Sequence, residues 1–158
     1  MKSPHSQHQY QVRFDWGTTG ARVVGDGADV VVWVDVLAGA AWDPPEVDAI
    51  VIAGSLNNRR AVADWVLARQ GDKGDRFTVA VVAVGELQYD ASPRFALEDL
   101  LAAGAIIDAL ADLGIDYCSP EAAAASASFT GLRNATAHLI GSSGSGQELT
   151  RAGRRGEV

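Results

Sequence analysis

Between Ala49 and Ala109 the chain runs twice through the same plan. A short apolar stretch ends in a turn of glycine and polar residues, and an amphipathic stretch with helical spacing follows. The first unit is AIVIAGSLNNRRAVADWVLA; the second is FTVAVVAVGE with RFALEDLLAAGAIIDAL behind it. Strands that alternate with helices must cover the sheet with those helices, which restricts the chain to α/β architectures. The expected fold is a three-layer α/β/α sandwich with a central sheet that is mostly parallel or mixed. Ligand sites in such folds lie where strands end and helices begin. There, backbone N–H groups point outward and the helix dipole favours an anion.

The flanking sequence extends this plan. ADVVVWVDVL (Ala28–Leu37) and Phe77–Val84 are almost wholly apolar, as strands covered on both faces are. Ala49–Ala53 reads as a further buried strand, and Gln11–Asp15 as a short edge strand. Gly17-Thr18-Thr19-Gly20 is expected to turn the chain. The spacing predicts one helix from near Asn58 to about Arg69, with QGDKGDR as the turn behind it. It predicts a second helix from about Phe95 to Leu113, closed by Gly114. Ser119-Pro120-Glu121 is a helix start, with a capping serine and a proline in the first turn. Residues 1–9 are polar and expected to be flexible, leaving residues 10–158 as a single α/β domain. GSSGSG, on composition alone, reads as a linker.

Several function classes are disfavoured by composition. A formal net charge of −7 is the wrong sign for binding nucleic acid through bulk electrostatics. No run of about 18 uncharged apolar residues is present, and no basic amphipathic helix, so no membrane association is expected. The single cysteine, Cys118, forms no internal disulfide, which fits a cytoplasmic protein. Cys118 reads as a small buried or half-buried residue; as a nucleophile it would need a nearby histidine. His5 and His8 lie in the polar start, and His138 lacks metal-ligand spacing to another histidine. There is no P-loop, no G-x-S-x-G elbow and no C-x-x-C pair.

Three places carry candidate chemistry. Asp35 interrupts the end of an apolar strand, and a buried carboxylate is costly unless it is paired or binds a metal. It is a structural partner, a metal ligand, or a catalytic nucleophile or base. The turn Gly54-Ser55-Leu56-Asn57-Asn58-Arg59-Arg60 is the second. Asn58 suits an N-cap; Arg59 and Arg60 stand in a first turn where the dipole disfavours cations, which a bound anion would offset. The third is Gly85-Glu86 with Arg94 and the pair Glu98-Asp99. The two acids complement a helix dipole, or one of them joins Asp35 around a divalent cation. Arg94 can then hold an anion as a bidentate donor.

These stretches resemble the 2-phosphosulfolactate phosphatases, the ComB-type proteins. ADVVVWVDVL resembles that family's early strand, and AGSLNNRRAVA its Ala-Gly-Ser/Cys-Leu-x-Asn segment, with the family asparagine on Asn58. VAVGE with RFALEDLLAAGAIIDAL resembles its Ala-Gly-Glu…Arg-x-Ala-x-Glu-Asp-Leu stretch, the most specific of the matches. SPEAAAA and SSGSGQELTRAG resemble the segments that follow, which makes GSSGSG a family feature. The resemblance implies the three-layer fold and an enzyme, a phosphomonoester hydrolase that uses Mg2+ on a small phosphorylated acid such as 2-phosphosulfolactate. By the same resemblance Asp35 and Glu98 are catalytic, Asp35 and Asp99 bind metal, and Ser55, Asn58, Glu86 and Arg94 bind substrate.

The chain also departs from the family pattern. Ala38-Gly39-Ala40-Ala41 replaces a turn that carries Arg or Ser with further hydroxyl residues. WDPPEVD leads almost directly to Ala49 where the family has a long middle segment. These departures motivate an alternative: a catalytically degenerate member that binds a small anion or another protein. A third reading is a homo-oligomer paired through exposed sheet edges.

Overall fold

The computed structural model describes residues 3–37 and 43–154, so the Ala38–Ala41 turn lies outside the described residues. Six strands and six helices follow one another: β1 (Val12–Trp16), α1 (Gly17–Gly25), β2 (Val30–Val34), β3 (Ile50–Gly54), α2 (Arg59–Lys73), β4 (Val79–Ala83), β5 (Glu86–Leu87), β6 (Pro93–Arg94), α3 (Leu97–Asp112), α4 (Pro120–Leu132), α5 (Thr136–Ser142) and α6 (Gly144–Arg151). The sheet runs β1-β4-β2-β3 and every pairing in it is parallel. Cys118 adds a single parallel bridge outside β1 at Val12. The fold is therefore α/β, with helices on both faces of the sheet.

β2 and β4, the two most apolar runs, take the central positions, and all ten of their residues are buried. Alternation divides their side chains between two layers. Val30, Val32, Val34, Val79, Val81 and Ala83 pack with α2, α3 and α4. Val31, Trp33, Ala80 and Val82 pack with α1. α3 and α4 touch closely because residue 104 is glycine: a Cβ there would stand 2.1 Å from the Ala125 carbonyl oxygen.

The structure revises three sequence expectations and one reading made from composition alone. Ala49–Ala53 is not a buried strand. β3 is the sheet edge, with Ile50 50% and Val51 36% exposed, while α1 packs over β1, β4 and β2. Gly17–Gly20 does not turn the chain but opens α1, whose small residues let Val24 and Ala21 reach the sheet. α2 continues to Lys73 through part of the QGDKGDR turn, and stops at Gly74 in a left-handed conformation. GSSGSG is not a linker: Ser143 caps α6 by accepting from the Gly146 N–H at 3.1 Å.

Two helix-end expectations match the structure. Ser119 caps α4 through the Ala122 N–H. At Gly114, α3 ends with Ile115 N–H donating to Leu110 and Gly114 N–H to Ala111, the Schellman pattern. Residues 4–6 form one 3-10 turn, and the buried Gln7 amide beside it both donates to and accepts from the Phe14 backbone. No helix among the described residues is long and apolar enough to cross a membrane.

Gly104→Ala is expected to lower stability by about 1–3 kcal/mol, the usual cost of overpacking a tight contact. Urea denaturation measures it; an unchanged midpoint would mean that α3 and α4 do not meet as described.

Candidate active site

The chain leaves β2 toward β3 on one side of the sheet. It leaves β4 through the β5–β6 hairpin and α3, toward the Cys118 segment on the other side. Neighbouring parallel strands whose connections diverge open a crevice at their carboxyl ends, the usual ligand site of such sheets. A cleft of about 440 Å3 lies there. Asp35, Glu86, Arg94, Glu98 and Asp99 all line it.

The four acids arrive from three corners. β2 ends at Val34, so Asp35 stands just beyond the strand rather than within it, half-buried. Glu86 follows Gly85 at the end of β4 and opens the small antiparallel hairpin of β5 and β6, where it pairs with Arg94. Gly85 has φ +72°, and a Cβ there would lie 2.8 Å from the Arg94 carbonyl oxygen, so the hairpin closes only over a glycine. Glu98 and Asp99 are in the first turn of α3, each 2% exposed.

Asp99 ties these corners together. One carboxylate oxygen accepts the Val36 N–H at 2.8 Å, and the other accepts the Gly85 N–H at 2.9 Å. The residue beside each anchored amide is an acid of the cleft: Asp35 before Val36 and Glu86 after Gly85. Burial raises the Asp99 carboxyl to about 7, against the lowering by its two N–H donors; the charges of Asp35 and Glu98 push it the same way as burial. Burial also raises the Asp35 carboxyl, with added repulsion from Glu98 and Glu86. Carboxylates crowded so closely favour bound protons or a cation.

A second groove of about 850 Å3 shares Asp35 and reaches Ser55, Arg59 and Arg60. In its turn the Ser55 N–H donates to Asn58 Oδ1 at 2.7 Å, and Asn58 Nδ2 donates to the Ala53 carbonyl at 3.0 Å. The Asn58 side chain thus closes the turn upon itself. Arg59 donates to the Leu56 carbonyl. Of the candidates read from sequence, five meet in the acid cleft and Ser55 stands in the adjoining groove.

Sequence reasoning missed three features. The Ser145 hydroxyl reaches the Glu86 carboxylate, so the Gly/Ser tract abuts the cleft. Glu148 also lines it. The far side of the hairpin, where Trp16, Trp33 and Phe95 line a chamber, had no motif to announce it. Cys118 is half-buried, and burial with the Asp116 charge raises its thiol, which disfavours a thiolate nucleophile.

Hard oxygen donors on the walls suit a magnesium ion, which needs one or two carboxylates and completes its shell with water and phosphate oxygens. Among the described residues no group of three or more His, Cys, Asp or Glu side chains is placed to hold a metal.

A parallel α/β sheet with an acidic crevice at its switch point defines the general class. The family model for 2-phosphosulpholactate phosphatase matches residues 45–158, and the chain belongs to that family. The match takes in the Ser55–Arg60 turn, the hairpin and α3 to α6; β2 and Asp35 precede it. None of the curated proteins matches the chain.

With a chelator present, stability is expected to decline as pH rises toward 7. The folded Asp99 carboxyl, near 7, lies above its ordinary value of 3.8. Its contribution is complete below the ordinary value and is lost as pH passes through the folded one. Urea midpoints from pH 4 to 8 follow this, and Asp99→Asn should reduce the decline to what Asp15 and Asp35 supply, both raised in the same direction. An identical slope in the variant would contradict the Asp99 assignment.

Proposed function

We propose that this protein is a magnesium-dependent phosphomonoester hydrolase acting on a small phosphorylated acid of the 2-phosphosulfolactate type. The observation that supports it most is the convergence of Asp35, Glu86, Glu98 and Asp99, with Arg94 beside them, on one switch-point cleft in a member of this family. Bound magnesium would neutralise phosphate charge and help orient the attacking water.

The chain's own residues divide the remaining work. Asp35, half-buried at the end of β2, and Asp99 offer oxygens to the cation. Arg94 is exposed and forms no ion pair among the described residues, so its guanidinium is open to a substrate phosphate or carboxylate. Glu98 is buried on the cleft wall, where a carboxyl can take a proton from water or return one to the leaving alcohol. Ser55, in the adjoining groove, offers a hydroxyl to a second anionic arm. Asn58 fixes the turn that presents it.

A second reading is a catalytically silent anion-binding member. It is favoured by the lack, among the described residues, of a three-ligand metal group. Turnover separates the two readings. The hydrolase should release inorganic phosphate from 2-phosphosulfolactate only with magnesium, and Asp35→Asn or Glu98→Gln should each lower kcat by about 100-fold or more. Saturable anion binding in calorimetry with no phosphate release would decide for the silent protein.

A self-pairing edge at β3, with Ile50 and Val51 open to water, would make the chain a dimer. A monomer by sedimentation at high concentration would reject that state.

A further inference from the structure

The groove beside the acid cleft carries the opposite charge near the strand ends. Asp35 and Leu37 line both spaces, so the two are continuous. α2 begins behind the end of β3 and α3 behind the end of β4, so their first turns stand at the same edge of the parallel sheet. The first turn of α2 holds Arg59 and Arg60 and no acid, whereas that of α3 holds Glu98 and Asp99. The other acids of the groove lie further off. Asp108 and Asp112 are about 14 and 20 Å down α3 from Asp99, at about 1.5 Å per residue. Asp108 is already engaged by Arg133 at 3.5 Å.

Both arginines have donors to spare. Arg60 is exposed and forms no ion pair among the described residues. Arg59 is half-buried and gives one N–H to the Leu56 carbonyl, which leaves most of its donors for an oxyanion. Ser55 Oγ accepts the Asn58 N–H at 3.2 Å, so its own proton remains to donate. We infer that Arg59, Arg60 and Ser55 hold a second acid group of the substrate, a sulfonate or carboxylate, while the phosphate and the first carboxylate stay in the acid cleft with Arg94. A phosphate ester with two acid groups on its alcohol half is therefore preferred over one with a single acid group. This rests on the hydrolase reading above and divides its substrate between the two spaces. In the reaction water attacks phosphorus and the P–O bond to the alcohol breaks. The alcohol oxygen takes up a proton from that water, and inorganic phosphate and the hydroxy acid leave.

The test compares 2-phosphosulfolactate with 2-phospholactate, which keeps the phosphate and the carboxylate and lacks only the sulfonate, both with magnesium. The expected kcat/KM ratio is about 10- to 100-fold in favour of the sulfonate, the range that hydrogen bonds to a charged group supply. Arg60→Gln should reduce that ratio about 10-fold, chiefly through KM for 2-phosphosulfolactate, and Arg60→Lys, which keeps the charge, should restore part of it. Because Arg60 is exposed, the urea midpoint of the variant should stay that of the parent. Sulfolactate, which has both acid groups and no ester to hydrolyse, should bind saturably in calorimetry, and Arg60→Gln should weaken that binding. Phosphate release at equal kcat/KM from the two esters, or a preference that Arg59→Gln and Arg60→Gln both leave intact, would overturn the inference and leave the hydrolase reading standing. Sulfolactate binding that depends on Arg60, with no phosphate released from either ester, would keep the groove site and overturn the hydrolase reading. Neither release nor binding would overturn both.

Discussion

The carboxylate of Asp99 is the point on which the site depends. It sits in the first turn of α3, where a negative charge complements the helix dipole, and it is buried against the sheet. Its two oxygens hold the backbone where β2 ends and where β4 ends. Hydrogen bonds to an ionised group contribute about 1.5–3 kcal/mol each, yet withdrawal from water opposes ionisation. Here burial prevails and the carboxyl titrates near neutrality. The clasp therefore changes charge near neutral pH.

The clasp also explains why several acids share one small space. Anchoring Val36 and Gly85 fixes Asp35 and Glu86 on the two strand ends, while Glu98 precedes Asp99 on the helix itself. Burial raises the Asp35 carboxyl, and repulsion from Glu98 and Glu86 adds to that rise. A cation among them would turn that repulsion into attraction. The hairpin then sets the boundary of the acid zone, because Gly85 lets β6 return close enough to bring Arg94 to its rim.

Much of the layer plan was legible in the sequence, since long apolar runs and helical spacing report burial directly. β2 and β4 announce themselves as the central strands by their uninterrupted Val-rich runs. β3 does not, because an apolar five-residue run looks the same at an edge as in the middle; only the neighbours reveal the difference. α1 was hidden for a related reason. Gly17-Thr18-Thr19-Gly20 has poor intrinsic helix propensity, and it is the packing of Ala21 and Val24 against the sheet that overrides it. GSSGSG misleads by composition in the same way, since Ser143 works as a cap.

For the site, the acids were legible as residue types at strand and helix ends, but not their partners. Nothing in the spacing shows that both Asp99 oxygens hold main-chain amides, or that Asn58 folds back on its own turn. The Asp99 contacts depend on backbone 14 and 63 residues away, and the Asn58 contacts on a turn shape that the local sequence leaves open. The most direct test is to follow the Val36 and Gly85 amides by NMR while pH is varied in metal-free protein. The clasp predicts slow exchange at both amides and shifts that titrate together with a midpoint near 7. Fast exchange at either amide, or shifts that follow an ordinary carboxylate midpoint near 3.8, would contradict it.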